Sequence, residues 1–220
     1  METILKTYLS LKNSQSKALP PEFAGQDVRY SEGLVEHFLL QFTKPGDVVL
    51  DPFMGFGTSL IVAERLERTC YGIEFDQKRQ QYVQSLLSRP KLALHGDSTK
   101  LSTLPIPAID FSITSPPYMG KTHTENPFTA YSTVGGGYNE YLKDLSKIYG
   151  QLADKLKPNG HAVLEVSNLK HEDGSVTTLA WDIAKAVSEV LHFDGEIILN
   201  WQDDYGYGYD HSYCLVFSKQ

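Results

Sequence analysis

The chain has 220 residues, 41% of them hydrophobic, enough to bury one substantial core without requiring a second domain. Its 20 Lys+Arg against 27 Asp+Glu give a formal net charge of −7, which argues against a surface that is basic throughout. No apolar run approaches the length of a membrane span and Met1-Glu2-Thr3-Ile4 lacks a basic-then-apolar profile, so a cytoplasmic location is expected; the two cysteines, Cys70 and Cys214, support neither a disulfide framework nor a zinc site.

Residues 1–28, polar and carrying Pro20-Pro21, read as an irregular N-terminal arm, with residues 29–220 forming a single domain. Gly33 to Phe42 is expected to be a helix, because Leu34, Val35, Phe38, Leu39 and Phe42 line up at helical spacing. Lys44-Pro45-Gly46-Asp47 is a turn signal. Val48-Val49-Leu50 then reads as a strand ending in Asp51, and Thr58 to Leu66 as a helix. Between them lies Pro52-Phe53-Met54-Gly55-Phe56-Gly57, a strand-to-helix turn of the kind at which open α/β sheets bind ligands. Gly55 and Gly57 permit positive φ and close approach of a ligand to the backbone.

A second strand, Thr69 to Glu74, ends in a carboxylate that can take both hydroxyls of a ribose, at about 1.5–3 kcal/mol per charged hydrogen bond. After a helix near 77–88, the strand Lys91 to His95 leads into Gly96-Asp97-Ser98, where Asp97 can accept from an adenine amine. Asp51 can receive a cationic amino group. Three acids at three successive strand ends suit a nucleoside with an amino-acid tail, and S-adenosylmethionine is such a molecule. A dinucleotide fingerprint would need a third glycine and a phosphate loop would need Lys-Ser/Thr; the chain has neither here. The candidate cofactor residues are thus Asp51, Pro52, Phe53, Gly55, Gly57, Thr58, Glu74, Asp97 and Ser98.

The strand Ile109 to Thr114 runs into Ser115-Pro116-Pro117-Tyr118. An amine conjugated to a heterocycle is a poor nucleophile and needs oxygen acceptors that draw its lone pair out of the ring. Neither proline has an N–H to return to a sheet, so the backbone is expected to leave the strand and turn a carbonyl toward a pocket. The serine hydroxyl is a second acceptor, and Tyr118 offers a flat ring to a base taken out of its stack.

Downstream, Met119 to Asn139 has no periodicity and carries Lys121 and His123, which with Lys143 and Lys147 make a candidate cationic strip or else ordinary surface polarity. A helix from Glu140 to Leu156, a strand from His161 to Val166, a helix near 177–191 and strands at Gly195 to Trp201 and Tyr213 to Ser218 complete the alternation. This pattern argues for a mostly parallel sheet flanked by helices. The loop Gln202 to His211 holds Tyr205-Gly206-Tyr207-Gly208-Tyr209, whose rings either stack on splayed bases or pack on the domain as a hairpin tip.

Taken together, Asp51 to Thr58, Gly72-Ile73-Glu74, Gly96-Asp97 and Thr114 to Tyr118 resemble the amino-methyltransferases of DNA, which methylate cytosine N4 or adenine N6. Leu156-Lys157-Pro158-Asn159-Gly160-His161 and Tyr213 to Lys219 look like later elements of that family, so the likeness runs from about Arg29 to Lys219. The resemblance implies an α/β fold of the class I methyltransferase type: a Rossmann-like mixed sheet of seven strands, helices on both faces and the last strand antiparallel. It also implies S-adenosylmethionine as cofactor and Ser115, Pro116, Pro117 and Tyr118 as catalytic residues; Tyr118, Lys121, His123, Tyr205 and Tyr207 are the candidate substrate contacts, from the ring, the cations and the Tyr-Gly alternation noted above. Serine in the first position of the tetrapeptide is commoner in members acting on cytosine amines and aspartate in those acting on adenine, so cytosine N4 is favoured. Adenine N6, an RNA base, and a cofactor-binding subunit of a larger methylase are the alternatives. The chain has no Pro-Cys pair, which argues against methylation of carbon 5. A separate target-recognition domain is not expected in this chain, so the expected substrate is single-stranded or opened DNA unless a homodimer or a specificity subunit contributes.

Overall fold

The computed structural model describes residues 6–130, 133, 134, 136–202 and 207–220. Tyr8–Leu11 forms β1 and Glu32–Phe42 forms α1, whose Leu34, Val35, Phe38 and Leu39 are fully buried, as the apolar stripe requires. The Lys44 to Asp47 turn closes with Gly46 at φ +90° and delivers the chain to β2, Val48–Asp51. Next come α2 (Thr58–Arg65), β3 (Thr69–Glu74), α3 (Gln77–Leu86) and β4 (Ala93–His95). β5 (Ile109–Thr114) is followed, after a long loop, by α4 (Tyr138–Lys155), in which Tyr141, Leu145, Ile148, Tyr149 and Leu152 make a buried stripe. The chain ends with β6 (Leu156–Val166), the short pair β7 (Leu169–Lys170) and β8 (Val176–Thr177), α5 (Leu179–Val187), β9 (His192–Trp201) and β10 (His211–Ser218).

The main sheet has the order β1-β9-β10-β6-β5-β2-β3-β4. Every neighbouring pair is parallel except those of β10, which runs antiparallel to both β9 and β6. Helices α4 and α5 cover one face through Tyr141, Leu164, Ile183, Leu215 and Phe217. On the other face α1, α2 and α3 enclose Val49, Phe111, Ile113, Val163 and Cys214. From β2 the chain winds outward through β3 to β4, then returns to place β5 on the opposite side of β2 and winds the other way. The carboxyl ends of β2 and β5 therefore flank the switch point, where open α/β sheets bind ligands.

The α/β class, the flanking helices and the antiparallel last strand are as expected, but the sheet has eight strands where seven were expected. The additional strand comes from the stretch read as an irregular arm: Tyr8 to Leu11 pairs in parallel with Ile198 to Trp201. Leu9 and Leu11 pack against the α1 side of the core, and that burial together with the open edge of β9 holds the strand. Beyond it, Phe23 is buried against Phe56 and Tyr82, with ring centroids 5.1 and 5.3 Å away. The expected strand at 91–95 starts two residues later, because Pro90 sets a 3-10 turn first. Lys157 to Gly160, read as the run-up to a strand, belongs to β6 itself, with Asn159 at φ +61°. The β7–β8 pair was not anticipated. Among the described residues no helix is long and apolar enough to cross a membrane, and Cys70 and Cys214 are buried free thiols.

Candidate active site at the sheet switch point

Asp51 ends β2 with its carboxylate fully buried. Oδ1 accepts from the Phe53 N–H (3.0 Å) and the Thr114 hydroxyl (2.6 Å), and Oδ2 accepts from the hydroxyls of Tyr30 (3.3 Å) and Ser59. Burial pushes the Asp51 carboxyl above its ordinary range, while the Ser59 and Thr114 hydroxyls, the Phe53 N–H and Tyr30 pull it back. Burial, and then the Asp51 charge, hold the Tyr30 phenol well above its usual value, so it stays a donor. Four donors fill the lone-pair positions of one carboxylate. Asp51 thus faces inward, binding the glycine loop to the end of β5.

The loop turns tightly, with the Gly57 N–H on the Met54 carbonyl (2.7 Å) and the Met54 N–H on that of Ile73 (3.0 Å). Gly57, at φ +79°, starts α2, and a Cβ there would lie 2.6 Å from a Val83 methyl. Gly55, at φ +52°, is different: a Cβ there would meet nothing within 4 Å, so its backbone faces open space. Pro52 is tied from below by the Ser98 hydroxyl, which donates to its carbonyl. Thr58 is buried in the first turn of α2.

Glu74, at the end of β3, accepts from the Asp76 N–H at 2.8 Å and interacts with the backbone of Gly55. Burial raises its carboxyl above the ordinary range, partly offset by the Asp76 N–H and the Arg79 charge. The next residue, Phe75, is 62% exposed, an uncommon state for a phenylalanine beside a half-buried acid. Asp97 uses Oδ1 to accept from the Thr99 N–H (2.9 Å) and hydroxyl (2.6 Å), and its Oδ2 lies 3.6 Å from Lys100 Nζ. The loop, Glu74 and Asp97 therefore lie at the carboxyl ends of adjacent strands, as the sequence spacing required.

Ser115-Pro116-Pro117-Tyr118 leaves β5 one residue beyond the Thr114↔Leu164 pair of the β5–β6 ladder. Ser115 is half-buried, and among the described residues nothing hydrogen-bonds its hydroxyl or the Pro116 carbonyl. The Pro117 carbonyl accepts from the buried Tyr141 hydroxyl at 3.0 Å. Tyr118 is held through its hydroxyl, which accepts from the Ser167 N–H (2.9 Å) and donates to the buried Glu165 (3.4 Å). Aromatic contacts join the two halves: Phe53 of the glycine loop meets Phe128 at 5.5 Å, and Phe128 stacks on Tyr141 at 5.2 Å.

The substrate candidates divide. Tyr207 reaches the site, its ring 5.1 Å from that of Tyr118. Lys121 and His123 lie just past the tetrapeptide but are engaged: Lys121 Nζ sits 3.2 Å from Asp182 and donates to the Thr178 hydroxyl, and His123 Nδ1 accepts from the Gly120 N–H. Tyr205 lies outside the described residues. The cationic strip is neutralised in place, Lys143 by Glu140 at 2.6 Å and Lys147 by Asp144 at 3.5 Å. Sequence reasoning missed Tyr30, Ser59 and Thr114 around Asp51, the Glu165 anchor of Tyr118, and Phe75. For Phe75 a signal existed, since an apolar ring directly after a strand-end acid has no place in the strand's own core. Among the described residues no three His, Cys, Asp or Glu side chains are grouped to hold a metal ion.

Residues 5–85, from β1 through most of α3, match the N6/N4 DNA methylase family. The type II methyltransferase M.BglII of Bacillus subtilis is 40% identical over 60 residues, 27% of this chain and 17% of that protein. M2.DpnII of Streptococcus pneumoniae, also a type II methyltransferase, is 47% identical over 47 residues, 21% of this chain and 18% of that protein. These matches span less than a fifth of each relative. TrmN from Thermus thermophilus shares the fold with a TM-score of 0.62 at 19% identity, over 90% of this chain and 52% of that one. The resemblance to the amino-methyltransferases of DNA is thereby borne out, and the fold is that of the class I S-adenosylmethionine-dependent methyltransferases.

Proposed function

We propose that this chain methylates the exocyclic amine of a DNA base with S-adenosylmethionine as donor, cytosine N4 being the favoured target. The observation that carries this reading is the Thr114 to Asp51 hydrogen bond, which fixes the Ser-Pro-Pro-Tyr corner against the glycine loop. The residues fit the cofactor. Gly55 opens on unfilled space, Glu74 brings a carboxylate for two ribose hydroxyls, Phe75 offers a ring face to adenine, and Asp97 stands one strand further on. Pro52, Phe53, Gly57, Thr58 and Ser98 shape the loop. Asp51 is assigned to positioning, because its carboxylate is saturated within the protein.

S-adenosylmethionine supplies an electrophilic methyl group on a sulfonium. Ser115 Oγ and the Pro116 carbonyl accept the hydrogens of the amine and draw its lone pair out of conjugation. Tyr118, fixed by Ser167 and Glu165, presents its ring to the extruded base. Pro117 is held by Tyr141, so the corner is rigid before substrate arrives and alignment contributes much of the acceleration. No protein nucleophile is required.

Ser115 is what favours cytosine over adenine, and the matching family spans both amines. Mass spectrometry of nucleosides from DNA and RNA of cells expressing the chain tests the reading. N4-methylcytosine in DNA is expected. N6-methyladenine instead would overturn the base assignment, modification confined to RNA would overturn the polymer, and cofactor binding without modification would favour a subunit of a larger methylase. With Lys121, Lys143 and Lys147 paired to acids, single-stranded or opened DNA is the proposed substrate, and a homodimer or a specificity subunit is the proposed route to duplex activity. Such a substrate fits a cytoplasmic location.

A further inference from the structure

Among the described residues, no helix covers one face of the sheet at its β1 edge. Along β9, Ile197, Leu199 and Trp201 are buried on the α1 side, whereas Ile198 points the other way and is 41% exposed. Tyr8 of β1 stands beside Ile198 and is 57% exposed, and Tyr213 of β10 flanks it on the other side. Trp181 of α5, 42% exposed, packs on Tyr213 with centroids 5.0 Å apart.

From Tyr213 the rings continue toward the catalytic end of the sheet. His211 lies 5.4 Å from Tyr213, and Tyr209 lies 5.3 Å from His211. Lys170 Nζ stands 4.3 Å over the Tyr209 ring, while the Lys170 N–H donates to the Tyr207 carbonyl at 3.4 Å. Tyr207, 47% exposed, meets Tyr118. A row of side chains thus runs from the catalytic tetrapeptide to Trp181.

We propose that this row is a platform for the unpaired DNA strand flanking the target base; the proposal rests on the reading of the site as acting on DNA. Tyr207 and Trp181 are exposed and Tyr209, His211 and Tyr213 between them are half-buried, and accessible ring faces of this kind bind unstacked bases without regard to sequence, because every base has a π-face. Continuity with Tyr118 selects this occupant over a second copy of the chain, since a strand whose target base lies on Tyr118 must leave along a neighbouring surface. The charges agree: Lys170 stands at the catalytic half, over the Tyr209 ring, and Glu196 lies at the opposite end of the exposed β9 face. Stacking also gives an acidic chain a way to hold DNA with few phosphate contacts.

The two tryptophans make the test direct, because Trp201 is 4% exposed and Trp181 is the one the strand would cover. An unlabelled single-stranded oligonucleotide of about ten nucleotides, titrated into the full chain, is expected to quench tryptophan fluorescence, and Trp181→Phe to remove the quench. Tyr209→Ala and Trp181→Ala are each expected to weaken oligonucleotide binding by about tenfold, with S-adenosylmethionine affinity and thermal unfolding unchanged. If the wild type methylates DNA while both alanine variants bind the oligonucleotide as tightly as it does, the platform is overturned and the reading of the site stands. Cofactor binding with neither methylation nor oligonucleotide binding overturns both. A dimer seen by sedimentation that Trp181→Ala dissociates, with DNA affinity unmoved, would assign the face to a second copy and overturn the proposal.

Discussion

Thr114→Val keeps the branched shape of the side chain and deletes one of the four donors to Asp51. Both partners are fully buried and the bond is short, 2.6 Å, so no water replaces the lost hydroxyl without rearrangement. Removing a hydrogen bond to a buried charge is expected to destabilise the fold by about 1.5–3 kcal/mol. With a urea m-value of about 2–3 kcal/mol/M, a loss near 2 kcal/mol lowers the unfolding midpoint by about 0.7–1 M at unchanged slope. The pH dependence gives a second check. Burial holds the Asp51 carboxyl above its unfolded value, so the stability contributed by its proton is complete below the unfolded pKa and is lost as pH rises through the raised folded one. Above that range the carboxylate is charged and needs every donor. Below it the bond becomes neutral, worth about 0.5–1.5 kcal/mol, so the deficit of the valine variant should narrow on acidification. Thr114→Ser, which keeps the hydroxyl, should recover most of the loss. Equal midpoints for wild type and valine variant at neutral pH, or equal losses in valine and serine variants, would refute the account of Asp51 as a saturated clamp.

Gly72→Ala places a Cβ 2.5 Å from Met54 Sδ and 2.6 Å from a Leu60 methyl, so it should cost about 1–3 kcal/mol in urea unfolding and weaken cofactor binding by moving the loop. Glu74→Ala should weaken S-adenosylmethionine binding by about 1.5–3 kcal/mol in calorimetry. Because burial raises the Glu74 carboxyl, wild-type affinity should begin to fall on acidification at a higher pH than for an ordinary glutamate, and Glu74→Gln should abolish that dependence. Ser115→Ala should lower single-turnover rates with cofactor affinity intact; Tyr118→Ala should also lose base binding, by about 1–3 kcal/mol. Matched single- and double-stranded oligonucleotides should show methylation favouring the single strand, with a shallow salt slope given that Lys121, Lys143 and Lys147 are all paired; efficient duplex methylation by a demonstrated monomer at physiological salt would contradict this.

The glycine-loop half of the candidate site was legible as structure because its signals are local. Val48 to Asp51, the glycine turn and Thr58 onward form one strand-turn-helix unit whose residues lie close in sequence, and the apolar stripes of α1 and α4 follow from helical spacing alone. What the sequence hid depends on contacts between distant segments. Asp51 looked like a ligand at a strand end; only the fold shows Tyr30, Ser59 and Thr114 converging on it from α2, β5 and the segment before α1. Lys143 and Lys147 read as a cationic strip because side-chain pairing one turn away is invisible to a charge count. Tyr8 to Leu11 is four residues long, and its alternation becomes meaningful only once β9 offers an edge. Gly72 read simply as part of the strand Thr69 to Glu74, whereas the structure shows that its missing side chain makes room for Met54 and Leu60 to close over β3.

The pairing of β1 with β9 bears on how the molecule is made. Ser10 and Asn200, bonded at 3.2 Å, are separated by 190 positions. On a ribosome adding about 5–20 residues per second, β1 emerges first and then waits on the order of ten to forty seconds for its partner to be synthesised. During that interval Leu9 and Leu11 have no core to enter, while the β2 to β4 cradle already has its neighbours. Loop closure over so long a span adds little to the thermodynamic cost, since each doubling of length is worth only about 0.6 kcal/mol, but it orders events in time. Tyr8, the outermost ring of the exposed face, is therefore among the last side chains to reach its place.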